Sequence, residues 1–141
     1  MDYSKVLNID IGKAVCYSGY RKGQTPGEIF PTYNQVKEDL LIINKTWKYI
    51  RLYSCDFHSR TVLEVIKNEK LNLKVMLGCY IEAEVNNYSC PWGGEYSDDQ
   101  LKINKKRNLE RIDLLSELGK KYPKIIFSLS IGNEACVSWT D

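Results

Sequence analysis

The 141-residue sequence sets 20 Lys and Arg against 18 Asp and Glu, with 43% hydrophobic and 27% charged residues and a net charge of +2. That is the balance of a globular domain long enough to bury a core, and it is too even to indicate nucleic acid or an anionic membrane as partner. No apolar run reaches the roughly 18 to 20 residues of a membrane span. The amino terminus, MDYSKVLNIDIGK, shows no signal peptide, so the chain as given is expected to be cytoplasmic or already processed.

Residues 1–12 read as a polar lead-in to a single domain, after which Lys13 to Tyr17 (KAVCY) predicts a first strand ending at Ser18-Gly19. The Gly- and Pro-rich YRKGQTPGEIFPTYN is a long loop; its Tyr20 to Gln24 segment reads as plain loop rather than an anion site. From Gln35 onward, Val36, Leu40, Ile43 and Trp47 fall on one stripe at helical spacing and predict an amphipathic helix. Tyr49 to Tyr53 (YIRLY) predicts a second strand. Asp56 or Ser59 can cap a second helix, paced by Val62, Val65, Ile66 and Glu69, before a third strand at Leu73 to Tyr80 (LKVMLGCY).

The insertion EVNNYSCPWGGEYSDD is incompatible with regular structure at Pro91-Trp92-Gly93-Gly94, while Cys90 and Trp92 favour an ordered loop. Asp98 or Asp99 then starts a long helix with Leu101, Leu109, Ile112, Leu115 and Leu118 on its apolar face, ending near Gly119 and the Tyr122-Pro123 stop. Lys102, Lys105, Lys106 and Arg107 mark its solvated side. Lys124 to Ile131 predicts a fourth strand. Alternating strands and helices with nearly continuous apolar strands imply an α/β fold, a parallel sheet covered by helices.

Such sheets bind ligands at the carboxyl ends of their strands. Here those ends carry Tyr17, Tyr53, Tyr80 followed by Glu82 and Glu84, and Asn133-Glu134, with Arg51 interrupting the apolar pattern of the second strand. One such end is what a strand running into a polar loop produces; four together, three of them tyrosine, suggest a shared rim. Tyrosine faces stack on the C–H patches of sugar rings while amides and carboxylates meet the hydroxyls, so the rim suits carbohydrate. Glycoside hydrolysis needs a carboxylic acid to protonate the departing oxygen and a second carboxylate across the anomeric carbon. Glu134 is positioned for the first role, with Asn133 able to bind a ring hydroxyl.

Other chemistries lack their signatures: there is no GxSxG, GxxxxGK[ST] or GxGxxG, and no cofactor is expected. His58 reads as a capping or surface residue rather than the partner of a Cys55 thiolate. The five cysteines, Cys16, Cys55, Cys79, Cys90 and Cys136, are odd in number, without a CxxC pair, and read as structural thiols. The sequons at Asn44 and Asn87 read as chance, the first inside the predicted helix.

VCYSGYRKGQTPG, VKEDL, YIRLYS, LKVMLGCYIEAEVNN, CPWGGEY and SIGNEA, in this order, resemble the amino-terminal half of glycoside hydrolase family 17, the β-1,3-glucanase family, especially its bacterial members. The resemblance runs from about Lys13 to the carboxy terminus. It implies the first half of a (β/α)8 barrel and a retaining β-1,3-glucan hydrolase, with Glu134 as general acid/base and Asn133 beside it. Arg51, Tyr53, Tyr80, Tyr17 and Glu82 would then belong to the glucan cleft. It places the family's nucleophile on a seventh strand, beyond this chain. A complete barrel takes roughly 200 to 250 residues, so the chain is expected to be a fragment of a hydrolase or a half barrel that pairs as a homodimer through exposed sheet edges. A non-catalytic carbohydrate-binding module and a small doubly wound domain are the alternatives.

Overall fold

The computed structural model of the chain describes residues 9–91 and 93–137. The first eight residues of the lead-in and Trp92, on which the order of the insertion was partly argued, lie outside them.

Four strands, β1 (Ala14–Cys16), β2 (Tyr49–Leu52), β3 (Lys74–Cys79) and β4 (Ile126–Ile131), alternate with three helices, α1 (Tyr33–Ile43), α2 (Phe57–Asn68) and α3 (Asp98–Lys121). The strands form one sheet in the order β1-β2-β3-β4, every pair parallel. An order that never reverses excludes the doubly wound alternative, which needs a switch point. Four parallel strands alternating with three helices in sequential order form half of a (β/α)8 barrel, with β1 and β4 at the open edges.

Each helix starts where a short polar side chain can satisfy free backbone N–H groups. Thr32 and Gln35 close a capping box on α1. Asp56 accepts from Ser59 N on α2, and Ser97 accepts from Gln100 N on α3. α3 also carries Asp98 and Asp99 in its first turn and Lys120 and Lys121 in its last, matching the helix dipole.

The core lies between the sheet and one layer of helices. Val36 and Leu40 of α1, Val62, Val65 and Ile66 of α2, and Leu115 and Leu118 of α3 pack on Ile50, Leu52, Val75, Leu77 and Ile126. Full burial of each such side chain contributes about 1.5–3 kcal/mol. The helices are further joined by Tyr33 Oη donating to Glu69 Oε1 at 3.2 Å and by the Lys37–Glu69 ion pair at 2.8 Å. Where β4 is uncovered, Leu129 and Ile131 stay 45% and 61% exposed.

Several expectations are corrected. Trp47 is not on the α1 stripe: the helix ends at Ile43 with Asn44 as its C-cap, which puts the first sequon in the turn. α3, by contrast, ends at Lys121, against the expected Tyr122-Pro123 stop. Its Leu109 is 58% exposed, while Asn104 and Asn108 are buried. The amino-terminal part of α3 packs on the loop after β3 rather than on the sheet, and loop backbone wants amide partners. Asn108 accepts from Glu82 N at 2.9 Å and donates to Glu82 O at 2.8 Å and to Glu84 Oε1 at 3.0 Å, while Asn104 donates to Ala83 O. Asn108→Ala strands a buried N–H and a carbonyl at once, so it is expected to destabilise the fold by about 2–3 kcal/mol in urea unfolding.

His58 is neither a cap nor a surface residue. It is 4% exposed, its ring lies between those of Tyr17 and Tyr20, and its Nε2 accepts from Gly19 N at 3.3 Å. Burial, opposed by Asp56 and Asp39, lowers its pKa below the ordinary 6.5. The unfolded chain therefore takes up the proton first, and stability is lost as pH falls through about 6.5. Melting temperature is expected to drop more between about pH 7 and pH 5 in the wild type than in His58→Gln.

Candidate functional site

The register decides which residues at the strand ends share a face. Cys16 pairs with Arg51, and Arg51 with Met76, so these three point to the side of the sheet away from the helices. Val15 pairs with Ile50 and lies on the helix side. Tyr17, two residues beyond Val15, follows it.

Tyr17 is accordingly buried, its Oη donating to Asp39 Oδ2 at 3.0 Å and its ring against His58. Burial and the Asp39 carboxylate drive its pKa far up. Tyr17 thus sits beneath the rim, where sequence analysis had it among the cleft residues. Arg21, from the loop above it, is held by Asp39 at 2.8 Å and Glu38 at 3.1 Å. That pairing fits the reading of this segment as loop.

Arg51 is the centre of the open face. Its Nη2 donates to Asn133 Oδ1 at 2.9 Å, across 82 positions of sequence, and its guanidinium lies 4.5 Å from the centroid of the Tyr53 ring. Tyr53 Oη donates to Cys16 Sγ at 3.1 Å. That hydrogen bond, ahead of desolvation, raises the Tyr53 pKa. Arg51 Nε is buried without a hydrogen-bond partner among the described residues.

β3 lies between β2 and β4, and on this face it carries Met76 beside Arg51 and, two residues on, Gly78 beside Ser130. Cys16, read from sequence as a structural thiol, is an exposed member of this group. The alternation of KAVCY is the signal that would have found it, since Cys16 shares a parity with Ala14 and not with Tyr17.

Beyond β4 the chain turns sharply. Gly132 N continues the ladder to Cys79 O at 2.9 Å, and Gly132 then takes a φ of 73°. A Cβ there would come within 2.6 Å of Ala135 Cβ, so only glycine fits. Glu134 also has positive φ, 57°, a conformation costing roughly 1 kcal/mol for a residue with a Cβ. The turn sets an exposed Glu134 directly after the amide that Arg51 holds.

Tyr80 is 58% exposed at the end of β3. Glu82 is turned to α3: Arg111 contacts both of its oxygens at 3.3 Å, and Arg107 approaches to 3.9 Å. With Glu84 bound to Asn108, the third strand's carboxylates belong to the loop anchor rather than to the Arg51 group. The structure therefore joins Arg51, Tyr53, Asn133 and, through the chain, Glu134, and leaves Tyr17 and Glu82 in supporting layers. Chemically, this is a site with a held amide, an arginine and a rim carboxylate.

No known family model matches this chain, nor does any curated protein. Among solved structures, it is similar to the crystal structure of an endo-laminarinase from Formosa Hel1_33_131, a glycoside hydrolase, with a TM-score of 0.66 and 24% sequence identity. The match covers 90% of this chain and 32% of that one, so the chain spans about a third of its neighbour's length. The likeness is one of fold, and the fold it shows is a half barrel of parallel βα units corresponding to part of a glycosidase.

Proposed function

We propose that this chain is a single partial glycosidase-like domain that supplies the acid/base side of a retaining β-1,3-glucan hydrolase. The observation that carries the reading is the 2.9 Å bond from Arg51 to Asn133, which fixes the amide next to Glu134 from a strand two positions away. Glu134 protonates the glycosidic oxygen as the bond breaks and then takes a proton from the incoming water. Asn133, its carbonyl oxygen engaged by Arg51, keeps its NH2 for a sugar hydroxyl near the reacting carbon. Tyr53 and Tyr80 offer ring faces to the glucan. The nucleophilic carboxylate belongs to the complementary part of the barrel.

The test is a chimera in which this chain replaces the matching part of the Formosa laminarinase. A folded chimera that releases reducing ends from laminarin supports the reading, and a folded but inert one overturns it. A second reading, a self-pairing half barrel that binds glucan without cutting it, is favoured by the exposed Leu129 and Ile131 on the edge strand. It requires a solution mass twice the 16.3 kDa of the chain.

A further inference from the structure

The amino ends of the strands, opposite the rim, carry a cavity of their own. Each strand opens at a lysine: Lys13 precedes β1, Lys48 precedes β2, Lys74 begins β3, and Lys124 lies just before β4. The backbone sets them in a row, since Lys48 N donates to Lys13 O at 3.0 Å, Lys74 N donates to Lys48 O at 2.9 Å, and the Lys74 ammonium donates to Lys124 O. Lys48, Lys74 and Lys124 line a cavity of about 500 Å³, whose lining also includes Asp10, Tyr49 and Phe127. That is the size of a site for a small organic molecule.

The charge of this lining is unbalanced. Asp10 is its one acidic residue, and it is spent on Lys48 at 2.6 Å. Neither Lys74 nor Lys124 has a carboxylate partner among the described residues. An ammonium has three donor hydrogens, so the bond to Lys124 O leaves two of them on Lys74. Ammonium groups on the adjoining strands β3 and β4 repel each other, and an anion bound by both turns that repulsion into attraction. The groups are open to a ligand: the Asp10 and Lys48 side chains are 85% and 29% exposed, and Lys124 is exposed.

Charge and wall together select the ligand. Three lysines against one carboxylate leave two positive charges to be met. A phosphate monoester carries about 1.5 to 2 negative charges at neutral pH, and its three oxygens can accept from several ammonium groups at once. A single carboxylate supplies half that charge. The Tyr49 and Phe127 rings, with centroids 5.2 Å apart, give the cavity an apolar side for the organic part of an ester.

We propose that the amino-terminal end of the sheet holds a site for a small phosphate monoester, its phosphate bound by Lys74 and Lys124 with Lys48 beside them and its organic part against Tyr49 and Phe127. The site is separate from the rim and goes beyond the glucan reading.

The test is calorimetric titration of the whole chain with phenyl phosphate, run beside inorganic phosphate and benzoate, with thermal melting of each variant. Phenyl phosphate is expected to bind tightest of the three, because it alone meets both the lysines and the rings. Lys74→Gln and Lys124→Gln are each expected to weaken it about five- to tenfold. Lys124 is exposed and serves Lys74 through its backbone, so Lys124→Gln is expected to melt with the wild type and carries the test if Lys74→Gln does not. Lys105→Gln, on the exposed side of α3, removes the same charge elsewhere and is expected to leave binding unchanged. An equal loss in Lys105→Gln overturns the site, because the anion then senses net charge alone. Wild-type affinity in both cavity variants, or no binding of phenyl phosphate by the wild type, overturns it as well. Inorganic phosphate or benzoate binding as tightly as phenyl phosphate overturns the assignment to a monoester.

Discussion

Glu134→Gln, placed in the laminarinase chimera, is expected to lower laminarin hydrolysis by about 10²- to 10⁴-fold, the range that a positioned general acid/base supplies. Glutamine keeps the shape and the left-handed backbone of the turn but has no proton to give the departing oxygen. The loss should fall on kcat, because the sugar is still held by its neighbours. Aryl glucosides with acidic phenol leaving groups provide the discriminating arm. Their departure needs little protonation, so the glycosylation step should lose far less rate on them than on laminarin. An equal loss on both substrates would mean that Glu134 positions the sugar without donating to it.

Gly78→Val is expected to cost about 3 kcal/mol of stability, the upper end of overpacking penalties. A Cβ at this position would come within 2.6 Å of Leu52 O and within 2.8 and 2.9 Å of the Tyr53 carbonyl carbon and Cα. These are backbone atoms of the adjoining strand end, tied into a parallel ladder on an interior strand, and no rotamer change relieves the clash. The displaced segment carries Tyr53, so laminarihexaose binding should weaken as well. Gly94→Ala is the control, since its Cβ would meet nothing nearer than 3.7 Å. Urea midpoints of the two variants measure the contrast, and a Gly78→Val midpoint equal to that of Gly94→Ala would contradict the packing described here.

Sequence by itself determined the number and order of the elements. Four apolar runs and three helical stripes fold as four parallel strands and three helices, because each pattern states the period of its own element and each helix start carries a capping residue. The strand ends were equally legible, and with them the candidates Arg51, Tyr53, Tyr80, Asn133 and Glu134. What the tertiary structure decided was the partner of each. Val15 and Tyr17 share the helix side, so one rim tyrosine is spent on Asp39 while Cys16 takes the open face. The first part of α3 lies along the loop after β3, so its buried positions there hold asparagine, while Leu115 and Leu118 further on face the core as the spacing predicts, and Glu82 meets Arg111. The Arg51–Asn133 bond spans 82 positions, and Tyr20 of the loop after β1 meets His58 of α2. Local pattern fixes where a side chain sits along its own element, whereas the neighbour it meets depends on strand register and on which helix covers which strand.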